Sequence, residues 1–161
     1  MRVNHAIDRV IEAEQALAAR LEQLAGRHAA EHDIYQLGRT QATKAAQRAQ
    51  RLEEAAREYG AGVPDPDLPR EGMVDALRRE ASQLMGRSSA TGLLLLDDLQ
   101  ETYLAAQRAE IAWTVLMQAA KARRDAELVS TVSSAHEQCE VTAKWLWTRI
   151  KVAAPQILAV G

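Results

Sequence analysis

Three glutamates and one histidine stand where apolar residues are expected. On a helical wheel of about 100° per residue, Glu14 falls in the middle of the stripe Ile7, Val10, Ile11, Leu17, Ala18 and Leu21. Glu110 falls within the stripe Leu99, Tyr103, Ala106, Trp113 and Met117. His136 and Glu140 sit with Val129, Val132, Cys139, Ala143, Trp147 and Ile150, and their i, i+4 spacing points both side chains the same way. Glu12 and Glu137 point outward. A carboxylate on an apolar face needs a cation, a proton or good hydrogen bonds. Glutamates and an imidazole meeting between helices suit iron, manganese or zinc. The competing reading is that each acid pairs with Arg or Lys, or snorkels from the edge of its stripe.

Four long helices must position these groups. The first runs from about Asn4, a candidate N-cap, to Ala25, with Gly26 as its left-handed stop. The second runs from Arg27 or His28 to Tyr59 and has a small inward face of Gly38, Ala42, Ala45, Ala46, Ala49 and Ala56. The third runs from about Thr91 to Arg123, and the fourth from Asp125 or Ala126 to just before Pro155. Residues 60–90 hold three of the four prolines, and a short helix with Met73, Val74, Leu77, Ala81 and Leu84 on one side. The layout is one domain over 1–161: an antiparallel hairpin at about 4–59, a crossover at 60–90, and a second hairpin at about 91–154. A single long crossover between two hairpins is the ferritin-like connection, so the expected fold is an all-α ferritin-like four-helix bundle.

With the second turn near Asp125, Glu110 is level with Glu140, and His136 lies about one turn away. With the first turn near Gly26, Glu14 is level with about residue 39. That level holds no acid or histidine, but Arg39 comes near the inward face there. A Glu14–Arg39 ion pair is therefore expected to neutralise the acid without metal.

The chain resembles the ferritin-like superfamily, most of all its small bacterial stress-associated members of the YciF type. The segment Ala109-Glu110-Ile111-Ala112-Trp113 is similar to the third-helix motif of that group. The resemblance implies Glu14 and Glu110 as first- and third-helix ligands. The fourth helix departs, because His136 and Glu140 form an inverted, wider pair than Glu-x-x-His. The second helix offers no ligand. The resemblance thus implies a reduced site of Glu14, Glu110, His136 and Glu140 that holds one iron, manganese or zinc ion at most, or none. It also implies a stress- or redox-related role. The alternative is a non-enzymatic, dimerising interaction protein whose inward acids form ion pairs.

Other features exclude more than they suggest. Net charge is −2 over 161 residues, with no basic stripe, so a nucleic-acid partner is not expected. The apolar run Leu93–Leu96 is far too short to span a membrane, and a cytoplasmic location is expected. Cys139 is the only cysteine and reads as a buried, inert thiol. His28 and His32 have ligand spacing but lie at the bundle end, where solvated or capping roles are expected. Asp97 and Asp98 read as solvated or helix-start residues. The glycine- and serine-rich stretch 86–92 lacks the lysine of a phosphate loop. A second apolar side on the third helix (Leu104, Ile111, Val115) and on the fourth (Val141, Trp145, Val152) is expected to be covered, one of them by the short crossover helix, or by self-association as a homodimer or other homo-oligomer with Trp145 as an anchor.

Overall fold

A computed structural model describes residues 2–59 and 92–160. The expected crossover helix around Met73–Leu84 lies outside the described residues. Helix α1 spans Arg2–Arg27 and α2 spans His32–Ala56, followed by a single 3₁₀ turn at Arg57–Tyr59. Helix α3 spans Gly92–Ala122 and α4 spans Ala126–Pro155, and a π-helical turn closes the chain at Gln156–Val160. There is no strand among the described residues, and no described helix is long and apolar enough to cross a membrane.

The helices begin and end for local reasons, some of them not the expected ones. Asn4 lies inside α1 rather than capping it; its side-chain amide donates to the Tyr59 carbonyl at 3.4 Å, tying the start of α1 to the end of α2. Gly26 is helical, and the chain turns later, over residues 28–31, where the Glu31 amide donates to the His28 carbonyl at 2.9 Å. The α3–α4 turn is tighter. Arg124 takes the left-handed conformation (φ 56°), the Arg124 amide donates to the Lys121 carbonyl, and the Asp125 amide donates to the Ala120 carbonyl. Those paired bonds make a Schellman stop. Asp125 then caps α4, its Oδ1 accepting from the Leu128 amide at 3.0 Å.

Contacts between helices fix their directions. Glu14 meets Arg48 across α1 and α2, and Gly38 faces Ala25 so closely that a Cβ there would lie 3.2 Å from the alanine methyl. Glu14 meets Trp113, and Arg27 meets Asp98, so α3 runs antiparallel to α1. Gln41 meets Thr142 and Asp33 meets Arg149, so α4 runs antiparallel to α2. It follows that α2 and α3 run in the same direction, so α2 ends and α3 begins at opposite ends of the bundle. The α2–α4 side is the least closely packed. The core is aliphatic around Ile7, Ile11, Leu17, Leu21, Leu99 and Leu146, with Trp113 its largest member.

Candidate functional site

Glu14 is fully buried, as its wheel position requires. Its partner is Arg48, not Arg39. Arg48 Nε donates to Glu14 Oε1 at 2.8 Å, and Nη2 donates to Oε2 at 2.9 Å, a bidentate pair with both side chains excluded from solvent. Trp113 Nε1 donates a third bond to Oε1 at 2.5 Å. Three helices, α1, α2 and α3, therefore converge on one carboxylate. Arg48 Nη1 is buried without a hydrogen-bond partner.

The mistaken partner has a geometric origin. The turn is centred near residues 29 and 30 instead of Gly26, which moves the level of Glu14 to about residue 45. Arg48 lies about one turn beyond, within reach of a long side chain that leans back toward the helix N-terminus. Arg39 sits about 120° around the helix from Ala45, on the exposed side. Its guanidinium donates to the Tyr35 hydroxyl at 2.9 Å and stacks over the Tyr35 ring at 5.4 Å. The missed signal was Arg48 itself, a charged residue among Gln41, Ala45, Ala49 and Leu52 on the buried stripe of α2.

The four residues expected to form one site fall in two places. Glu14 is in the core, whereas Glu110, His136 and Glu140 are half-buried between α3 and α4 at the surface. Glu110 and Glu140 line a small pocket of about 370 Å³ with Tyr103, Lys144 and Trp147. His136 Nδ1 is 3.6 Å from Glu140 Oε1, and its Nε2 is 3.3 Å from the Thr114 hydroxyl. Burial and the neighbouring Glu140 charge push the Glu110 carboxyl above its usual range, and His136 opposes them. Helix α4 is turned so that Cys139, Thr142, Ala143 and Leu146 face the core. Glu140 lies about 100° round from Cys139, which carries it to the rim. Trp147, expected inward, is 48 % exposed and packs its ring 5.1 Å from that of Tyr103. Among the described residues, no group of three or more His, Cys, Asp or Glu side chains is arranged to hold a metal ion.

Cys139 is fully buried between the two places and feels both Glu14 and Glu110. Burial first, and then the Glu14 charge, push its thiol well above the usual range, so it stays protonated and unreactive. Thr142 donates to Gln41 Oε1 at 2.7 Å, a buried polar tie between α2 and α4.

A second ion-pair centre stands at the C-terminal end of α1. His28, only 5 % exposed, places Nε2 2.7 Å from Asp98 Oδ2, and Arg27 Nη1 donates to Asp98 Oδ1 at 3.0 Å. Asp98 is thus a clamp between the first turn and the start of α3, and His28 is a core histidine. His32 is exposed. The second apolar sides do reach the surface: Leu104, Ile111 and Val115 are each more than half exposed, and Val141 and Val152 about as much. Trp145 is half-buried, with its indole N–H unpartnered.

No protein-family model, curated protein or solved structure matches this chain.

Proposed function

We propose that this chain is a non-enzymatic helical interaction protein, built on a ferritin-like chain course in which an arginine stands in for metal. The observation that carries this is the state of Glu14. Both of its oxygens are held by Arg48, and one also by Trp113. A cation arriving at this carboxylate would have to displace a bidentate guanidinium in a site closed to water. The parallel course of α2 and α3 supports the ferritin-like layout, because α2 ends and α3 begins at opposite ends of the bundle. The exposed apolar line Leu104, Ile111 and Val115 supports the interaction role, since such lines mark contact surfaces.

Elemental analysis tests the metal-free reading, on protein purified without chelator and without a nickel-charged column. The expected result is iron, manganese and zinc each well below one equivalent per chain, unchanged in Glu14→Gln. One bound equivalent that disappears in Glu14→Gln would overturn the reading. So would an equivalent lost in Glu140→Gln and His136→Ala, which would put a metal at the α3–α4 surface.

A further inference from the structure

A groove of about 920 Å³ runs along the outer faces of α1 and α3. Its floor is made of small half-buried residues, Ala6, Ala13, Ala105 and Ala112, which let another backbone approach closely. On the α3 side stand Leu104, Ile111 and Val115, 53 %, 63 % and 56 % exposed. Their i, i+7, i+11 spacing draws one line along the helix. From Glu101 to Val115 the groove follows α3 for about 21 Å, the length of a helix of about 14 residues.

The rim has the opposite charge balance to the chain. The whole chain carries −2, yet Arg2, Arg9, Arg20 and Arg108 border the groove against only Glu12 and Glu101. Arg9 is taken by Glu12 at 3.2 Å. Arg2, Arg20 and Arg108 are exposed and make no ion pair among the described residues. The groove is therefore long and apolar at its base, and its two walls carry guanidinium groups with no ion-pair partner among the described residues.

We propose that this groove docks an acidic amphipathic helix of a partner protein, its apolar stripe on the alanine floor and its carboxylates against Arg2, Arg20 and Arg108. The proposal rests on the interaction reading above and names its surface and its partner's chemistry. A rod fits a concave groove between antiparallel helices better than a lipid surface does. A second copy meeting this face with the same face would bring arginines toward arginines, which disfavours it.

The test uses the full chain and a fluorescein-labelled 18-residue synthetic peptide, helical, with leucine on one stripe and glutamate flanking it. The control peptide carries lysine in place of every glutamate. Fluorescence anisotropy should show saturable binding of the glutamate peptide, at least about tenfold tighter than the lysine peptide, with the difference shrinking as salt rises. Ile111→Asp changes an exposed residue, so circular dichroism should stay unchanged while affinity falls by about tenfold or more. The pair Arg20→Glu and Arg108→Glu should reverse the preference between the peptides. Absent binding, equal binding of both peptides, or indifference to Ile111→Asp would each overturn the proposal. Preference for anionic phosphatidylserine vesicles over the peptide would overturn it in favour of a membrane surface. A dimer that Ile111→Asp dissociates would overturn it in favour of a second copy. Neither the peptide nor these variants touch Glu14, so the metal analysis stands or fails separately.

Discussion

Arg48→Ala should destabilise the bundle far more than its loss of packing alone. Arg48 supplies two of the three hydrogen bonds to Glu14, and neither residue reaches solvent. Removing it leaves a carboxylate in the core with the Trp113 N–H and the neighbouring Cys139 thiol but no cation. Breaking a buried pair from one side costs about 3–5 kcal/mol. Domains are stable by only about 5–15 kcal/mol in total, so the loss is a large share. Arg48→Lys should recover a minor part, because an ammonium cannot grip both oxygens in a fork. Glu14→Gln in the Arg48→Ala background removes the stranded charge and should return about 1–3 kcal/mol. The assay is urea denaturation of the wild type, both single mutants and the double mutant, comparing midpoints at constant slope. A coupling energy of about 1 kcal/mol or more is expected. Additive single and double mutants would refute the pairing and return Glu14 to the list of groups free to bind a cation.

Three other perturbations read separate parts of the structure. Glu110→Gln should stabilise the protein at neutral pH. The folded carboxyl titrates above its unfolded value, so the native state binds the extra proton between the two, and stability falls as pH rises through that window. Denaturation midpoints between pH 4 and 7 should therefore slope less steeply downward in Glu110→Gln than in the wild type, and identical slopes would contradict the assignment. Asp125→Ala removes the cap that receives the Leu128 amide and should cost about 0.5–2 kcal/mol in the same urea assay. Asp98→Ala strips the acceptor from Arg27 and from the buried His28, and should cost about 1–3 kcal/mol; a change below about 0.5 kcal/mol would show that the clamp carries nothing.

The long helices were legible because periodicity accumulates over many turns, as in the stripe from Ile7 to Leu24. So was the burial of Glu14, at the centre of a clear stripe. Its partner was not, because level-matching across a hairpin depends on where the turn lies. The glycine at 26 marked that turn about three residues too early. The α3–α4 turn had no glycine, since Arg124 takes the left-handed position, yet Asp125 still marked the start of α4. His136 and Glu140 were placed too far inward for a different reason. That helix is apolar on more than one side, with Val141, Trp147 and Val152 exposed, so the wheel alone did not say which stripe faced the core. His28 and Asp98 were unreadable as a pair. They are 70 residues apart, and nothing local distinguishes a clamp from two solvated side chains.

The polar centres also bear on why this sequence settles in one arrangement. The α1–α2 interface is rich in alanine, with Gly38, Ala42, Ala45 and Ala49 on the α2 side. Small side chains allow close approach, but they carry little shape information, so one helix could slide along another by a turn at modest cost in apolar contact. A buried charge changes that balance. Slipping α1 by about one turn, roughly 5.4 Å, would carry Glu14 away from Arg48 and Trp113 and leave all three unsatisfied. The second centre acts at a different height: Asp98 fixes α3 against the α1 end through Arg27 and His28. Two fixed points along α1, one near its middle and one at its end, set both the register and the direction of its neighbours. The carboxylate that first looked like a ligand is thus the group that aligns three helices, and the guanidinium that holds both of its oxygens against a metal is the same group that gives the bundle one register.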